Sequence, residues 1–336
     1  VPLAAFPLAL VLCFALTPLL VRVAWATGWL DHPEARKLHT AATALLGGPG
    51  VFVSALASWA VAMRLMSHAP AAWEAYDLLL GAAVALALGM WDDRFGMRPA
   101  VKLLGQASAA SILLAGGAIP HFGLPPGIEA ALALVGLVAL MNAVNFLDNM
   151  NGMVGGLAPI ALAGFAWTSF TRGAGGVAAA QLALAGACVG FLPWNFPRAR
   201  IFLGDAGSLF LGYSLGASAL LAMRGAPAGW GQVGPLLVLA YPAFDMLFVI
   251  VTRVREGRPV YQGGRDHTNH RLATLLGRPA STVLVVWVGA ALLCASGLFA
   301  LHQNEGAVTF AIAGAWALAL LLGGLRLAGV PVSRKA

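Results

Sequence analysis

The sequence predicts an all-α polytopic membrane protein with about eleven transmembrane helices, ten being the nearest alternative. Composition is the first reason: over 336 residues, 60% are hydrophobic and 10% charged, and mean hydropathy is +0.83. Soluble globular domains carry about a quarter charged residues. The length of the apolar runs is the second, because a helix needs roughly 17–25 mainly apolar residues to cross a bilayer. The third is the placement of the basic residues, which alternates from one connection to the next.

The apolar runs fall at 1–23, 46–66, 75–91, 100–119, 127–146, 152–171, 175–193, 206–223, 232–252, 280–301 and 307–328. The first is too long for a signal h-region and has no basic segment before it, so it reads as a retained helix. Several others are short or Gly-rich, which keeps a count of ten open. Alternate connections hold Arg36, Lys37, Arg94, Arg98, Lys102, Arg198, Arg200, Arg253, Arg255, Arg258, Arg265, Arg271 and Arg278, with Arg22, Arg326, Arg334 and Lys335 near the flanking helix ends. The opposite connections hold only Arg64, Arg172 and Arg224. Seventeen against three places the first set in the cytoplasm, the N-terminus outside and the C-terminus inside. The formal charge of +7 is therefore mainly topological and does not call for nucleic acid. Cys13, Cys188 and Cys294 each lie in an apolar run without paired spacing, so neither a disulfide framework nor a zinc site is expected.

The acids sort with the bases. Asp31, Glu34, Asp92, Asp93, Asp148, Asp205, Glu256 and Asp266 lie in or beside the inner connections, and Asp245 alone sits deep in a predicted span. Outer connections are brief and Gly/Pro-rich. We read 1–336 as one integral membrane domain whose active site is built from inner loops at about 24–45, 92–99, 147–152, 194–205 and 253–279.

Each inner loop admits a chemical and a plainer reading. Arg36, Lys37 and His39 offer cationic donors for a phosphate, with Gly47 and Gly48 allowing close backbone approach; they also suit a positive-inside anchor. Asp92 and Asp93 are adjacent carboxylates at a helix end, which repel one another unless cations or Mg²⁺ compensate; they also suit solvated turn caps. Lys102 and Gln106, at i,i+4 after Pro99, share one face. Asn142, Asn145 and Asn149 or Asp148 fall on one helical stripe and present oxygen and amide groups together; Asn in a span also serves as interhelical glue. Asp205 stands between Gly204 and Gly207, open to ligate a cation or to cap a helix. Phe202 and Asn195 offer a stacking face and a bidentate amide suited to a nucleobase. His267 and His270, with Arg265 and Arg271, suit a diphosphate or a structural His pair.

Together these segments resemble the polyprenyl-phosphate N-acetylhexosamine-1-phosphate transferase family. The resemblance runs through Asp31-x-Pro-x-x-Arg-Lys-x-His39, Asp92-Asp93 with Lys102 and Gln106, and Asn142-x-x-Asn-x-x-Asp148 ending in Asn151-Gly152. It continues through Asn195-Phe-Pro, Phe202-x-Gly-Asp-x-Gly-Ser208 and the His267/His270 loop. The eleven-span count and the Arg-Asp-His-x-x-His-Arg loop look more like the undecaprenyl-phosphate GlcNAc-1-phosphate branch than the related phospho-MurNAc-pentapeptide transferases that make lipid I.

The resemblance implies a multi-pass protein of the bacterial cytoplasmic membrane, active at its cytoplasmic face. It would transfer a sugar 1-phosphate from a UDP-N-acetylhexosamine to undecaprenyl phosphate with release of UMP, as the first membrane step of a cell-envelope glycan. It implies Mg²⁺, with Mn²⁺ as an alternative, on Asp205 and Asn145. Asp92, Asp93 and Lys102 would handle the lipid phosphate. Asn151, Asn195 and Phe202 would meet uridine, with Asp148 in the same substrate site, while Arg36, Lys37, His267, His270, Arg265 and Arg271 close on the diphosphate and sugar. A homodimer is left open. Two departures stand out: the family's bacterial members commonly read Asp-Gly-x-Asp-Gly where this chain has Asp148-Asn149-Met150-Asn151-Gly152, and often have a third His where Asn269 stands. The eukaryotic dolichyl-phosphate branch resembles this chain at Asn151.

Two other classes compete. A CDP-alcohol phosphotransferase would carry its acids in one compact segment, which is absent. A secondary transporter would favour midplane acids and repeat-related broken helices, whereas only Asp245 is deep and no internal repeat is evident.

Overall fold

Backbone N–H and C=O groups in hydrocarbon must be satisfied within their own segment, so apolar runs of this length become helices. The computed structural model describes residues 2–32, 41–66, 72–260, 264–303 and 305–331. Among these it contains thirteen α-helices: α1 Ala5–Thr27, α2 Gly47–Leu65, α3 Ala72–Phe95, α4 Pro99–Ala115, α5 Pro126–Leu147, α6 Met153–Thr171, α7 Gly175–Asn195, α8 Gly204–Arg224, α9 Val233–Val238, α10 Ala240–Arg255, α11 Thr268–Leu276, α12 Pro279–Gln303 and α13 Gly306–Ala328.

Each of the eleven predicted runs carries a helix, but not all are of one kind. Among the described residues, nine helices are long and apolar enough to cross a membrane. At 17 residues α4 sits at the lower limit for spanning. The run predicted at 232–252 is not continuous: the helical segments Gly229–Val238 and Ala240–Arg255 meet at an 80° bend. Pro242 explains the break, since its ring clashes with the carbonyl four residues back, at Val238, and it offers no N–H to bond it.

Three elements were not foreseen. Leu30–Asp31 (β1) and Thr43–Ala44 (β2) pair antiparallel, and Ala44 bridges to Ile201. The last inner loop holds a helix of its own, α11.

Enclosure varies across the bundle. α8 is almost wholly surrounded by protein, with 94% of its apolar window buried, against 11% for α13. The helix that begins with Gly204-Asp205 is thus the axis of the molecule, and the ends of α3 and α5 and the starts of α2 and α4 gather round its N-terminus.

Candidate active site

The N-terminus of α8 organises the site. Its first amides need acceptors that the helix cannot supply, and a carboxylate from another helix provides them. Asp93, near the end of α3, accepts from Asp205 N at 2.8 Å and Ala206 N at 3.0 Å, which also places its charge on the positive end of the helix dipole. Gly204 makes this approach feasible: its φ is +72°, and a Cβ there would lie 2.5 Å from Asp93 Oδ2.

Asp92 points elsewhere. Lys102 Nζ, from the first turns of α4, lies 2.7 Å from Asp92 Oδ2 and donates to Asp205 Oδ2 at 2.5 Å. From α5, Asn145 Nδ2 donates to Asp205 Oδ1 and to Ser208 Oγ, both at 2.8 Å. One carboxylate is therefore gripped by residues from two other helices. The adjacent acids expected to repel one another are instead aimed at separate partners.

One turn deeper, Gln106 and Asn142 exchange hydrogen bonds between α4 and α5 at 3.2 and 2.7 Å. Asn142 is interhelical glue, whereas Asn145 belongs to the site. The helix ends at Leu147, so Asn149 leaves the expected stripe.

Charge in this cluster does not balance. Among the described residues, Asp92, Asp93, Asp148 and Asp205 stand against the single ammonium of Lys102. Asp148 lies just beyond α5, where burial first and the neighbouring Asp205 charge second push its carboxyl up to about 7. The Asp205 side chain keeps 36% exposure, so the cluster is reachable. Among the described residues no three acids or histidines converge into a metal cage, but Asp205 and Asp148 with the amide oxygen of Asn145 offer hard oxygens of the kind Mg²⁺ takes alongside water and phosphate, and a divalent cation would offset the excess negative charge. The residues present fit that ion.

The neighbouring loops are tied into this end of the bundle, though not always as expected. Asn195 is buried, and its amide is spent on backbone: Oδ1 accepts from Gly152 N at 2.6 Å and Nδ2 donates to Ile201 O at 2.9 Å. It joins two loops and does not present a bidentate face to a base. Gly152, at φ +77°, has the Phe196 ring where a Cβ would be, which fixes where the 148–152 turn meets the 195–197 segment. Asn151 is half-buried, with Nδ2 donating to Pro197 O at 3.2 Å. Phe202 is half-buried too, and its backbone pairs with Ala44 and Gly47. Gly47 and Gly48 do permit close approach, but to the chain itself: their amides donate to Phe202 O and Leu203 O, each at 3.0 Å. Arg36, Lys37 and His39 lie outside the described residues.

The last loop separates into structural and accessible parts. Asp266 is buried in a bidentate pair with Arg253, at 2.7 and 2.9 Å, and also accepts from Arg258 at 2.9 Å. Burial alone would raise its carboxyl, yet the Arg253 contact holds it at about 2. Arg271, expected at the diphosphate, is buried and caps the end of α13 instead, donating through Nη1 to Leu327 O, Ala328 O and Val330 O. Its chain position beside the His pair was a poor guide, because the packing of α11 carries its guanidinium to the carbonyls at the end of α13. Arg265 is half-buried beside Asp266.

Asp245, fully buried, accepts from Thr268 N at 2.8 Å and Thr268 Oγ1 at 2.6 Å, and its Oδ2 lies 2.7 Å from His267 Nδ1. An Asp in a span costs roughly 2.5–3.5 kcal/mol at the helix centre, and these contacts, at about 1.5–3 kcal/mol for each charge-assisted bond, offset that. His270 is neutral at physiological pH, since burial and the nearby His267 push it down to about 4. The rings of His267 and His270 are 5.6 Å apart.

Sequence reasoning missed one contact. Asn269 Nδ2 donates to Asn149 Oδ1 at 2.7 Å, so two positions where this chain departs from the common family pattern bond to each other. That bond ties the His loop to the turn carrying Asp148. The departures themselves were the available signal; their pairing, across 120 residues, was not.

Fold and site together define a polytopic membrane protein with a carboxylate-rich, cation-compatible centre at one end of its helices. Residues 76–223, which span Asp92 to Asp205, match the family described as "Glycosyl transferase family 4". Decaprenyl-phosphate N-acetylglucosaminephosphotransferase of Mycobacterium tuberculosis is 32% identical over 340 residues, covering 89% of this chain and 83% of that relative. The probable undecaprenyl-phosphate N-acetylglucosaminyl 1-phosphate transferase of Bacillus subtilis is 29% identical over 293 residues, covering 84% and 80%. The undecaprenyl-phosphate alpha-N-acetylglucosaminyl 1-phosphate transferase of Escherichia coli K12 is 25% identical over 299 residues, covering 84% and 79%. This chain belongs to that family, the polyprenyl-phosphate N-acetylhexosamine-1-phosphate transferases.

Proposed function

We propose that this protein transfers N-acetylhexosamine 1-phosphate, GlcNAc-1-phosphate foremost, from a UDP-sugar to undecaprenyl phosphate at the cytoplasmic face of a bacterial inner membrane, giving the lipid diphospho-sugar and UMP. The observation that carries this reading is the Asp92–Lys102–Asp205–Asn145 cluster at the N-terminus of α8, with its surplus of carboxylates. The named activities of the relatives supply the substrate class, and the seventeen-to-three bias of basic residues supplies the orientation.

In this reaction an oxygen of the lipid phosphate attacks the β-phosphorus of the donor. The bond from that phosphorus to the α-phosphate oxygen breaks, and UMP leaves. Little covalent work falls to the protein; the task is to bring anions together and stabilise the charge that moves between them. Mg²⁺, held by Asp205, Asp148 and Asn145 Oδ1, would neutralise the diphosphate. Lys102 balances Asp92 and Asp205 and presents its ammonium beside the lipid phosphate. Asp92 is the carboxylate placed to take a proton from that phosphate, because both oxygens of Asp93 already accept α8 amides. His267 and His270 close the donor side.

The test is direct. Purified protein with Mg²⁺, undecaprenyl phosphate and a panel of UDP-N-acetylhexosamines should release UMP, fastest with UDP-GlcNAc. Absence of UMP with every sugar would sink the transferase reading, while a preference for UDP-MurNAc-pentapeptide would move the chain to the lipid I branch.

A further inference from the structure

Asp245 is a fully buried acid that the transfer chemistry above leaves without a task. It stands on the first turns of α10, just past the 80° bend, at 0% exposure. Each oxygen is specifically engaged. Oδ1 accepts from the backbone and hydroxyl of Thr268, and Oδ2 faces His267 Nδ1 at 2.7 Å. Tyr241 OH, one turn earlier on α10, lies 3.2 Å from Thr268 Oγ1 and closes the group.

A carboxylate only accepts, so the His267 nitrogen that faces it must carry the hydrogen. His267 then has Nε2 left for another partner, and its ring is fixed in rotation because Asp245 is itself held on its other oxygen. The Asn149–Asn269 bond joins the next turn of α11 to the loop of Asp148, so the oriented imidazole belongs to the wall of the carboxylate site. In that wall Asn269 Oδ1 and His270 Nδ1 are buried without a hydrogen-bond partner among the described residues, which marks this end of α11 as a surface awaiting polar atoms of a ligand.

We propose that Asp245 is a positioning residue: it fixes the Nδ1–H form of His267, so that Nε2 is the atom His267 presents to the sugar-diphosphate donor. Asp245 itself does not touch substrate. The kinetic part of this inference rests on the transferase reading above; the tautomer part does not.

Two measurements test it. In protein labelled with ¹⁵N-histidine and held in nanodiscs, the long-range ¹H–¹⁵N spectrum should show His267 protonated at Nδ1, with the signal assigned by its loss in His267→Gln. An Nε2–H form with bare Nδ1 would overturn the proposal, whether or not any donor is turned over. In the kinetic arm, Asp245→Asn should lower kcat by about 10–100-fold, the range seen when an orienting partner of a functional histidine is removed, with the donor KM little changed. The double variant Asp245→Asn/His267→Ala should be no slower than His267→Ala alone, because the carboxylate acts through the ring. Additive losses would make Asp245 a structural residue only. Thr268→Val, which removes the hydroxyl bond and keeps the backbone one, should lose far less than Asp245→Asn; an equal loss would mean that the carboxylate merely anchors α11. Should Asp245→Asn fail to purify as a monodisperse protein, the tautomer measured in the unaltered chain still decides.

Discussion

Two charged regions lie at the same end of this bundle, and they are built on opposite plans. Around the N-terminus of α8, four carboxylates share one lysine, and the side chain of Asp205 is about a third exposed. Around the α10–α11 connection, Asp266 and Glu256 face Arg253 and Arg258, and the central Arg253–Asp266 pair is almost completely buried. Balanced, buried charge holds a loop in place; unbalanced, reachable charge waits for a ligand. The regions share one device. In each, an aspartate from another helix caps a helix start, Asp93 on α8 and Asp245 on α11, and the residue at that start, Asp205 or His267, faces the functional side.

The comparison breaks most sharply at Asp205. Asp205→Asn keeps the size of the side chain but removes the charge that holds Lys102, and should reduce UMP release by about a thousandfold or more while the protein stays folded. A near-native rate would transfer the role of this cluster to scaffold.

Asp266→Asn should do the reverse. Leaving Arg253 buried with half a partner costs about 3–5 kcal/mol, read as a lower melting temperature, with kcat of the folded protein nearly unchanged. The sign with pH follows. Because Asp266 is held at about 2, below its ordinary value, its stabilisation is present above about pH 4 and disappears as pH falls towards 2. A flat acid limb in the melting temperature would contradict the buried-pair account.

Metal dependence should titrate. Asp148 sits at about 7, so below that pH a proton competes with the cation for its carboxyl. The Mg²⁺ concentration for half-activation should rise about tenfold per unit as pH falls below 7 and level off above it. A pH-independent value would remove Asp148 from the ion's ligands.

The smallest effect concerns the link between the regions. Asn149→Gly and Asn269→His should each raise the donor KM several-fold, and the double variant should fall short of their product, with a coupling of about 0.5–3 kcal/mol for residues in contact. Strict additivity would mean that the bond carries nothing to the site.

Hydropathy found the long apolar helices, though not the short α11, because a span needs only length and apolarity, properties of the segment alone. It missed the break before α10, which Pro242 encodes, since a proline within a span is tolerated where neighbours re-satisfy the freed groups. Asp92, Lys102, Asn145 and Asp205 were legible as residue types at helix ends. Which acid meets which base was not: Lys102 and Asp205 are 103 residues apart, and nothing local separates Asp92 from Asp93. Asn195 and Arg271 show the same limit from the other side. Their chemistry suits a substrate, but folding spends it on backbone carbonyls and an amide of other segments. Asp245 was visible as the lone deep acid, and only the approach of α11 shows what it orients.

Mn²⁺ binding, followed by electron paramagnetic resonance on the purified protein without substrates, tests the contrast between the two regions most directly. The charge arrangement predicts a bound ion in the unaltered chain, its loss in Asp205→Asn and its retention in Asp266→Asn. Equal binding by the unaltered chain and Asp205→Asn, or loss confined to Asp266→Asn, would contradict it.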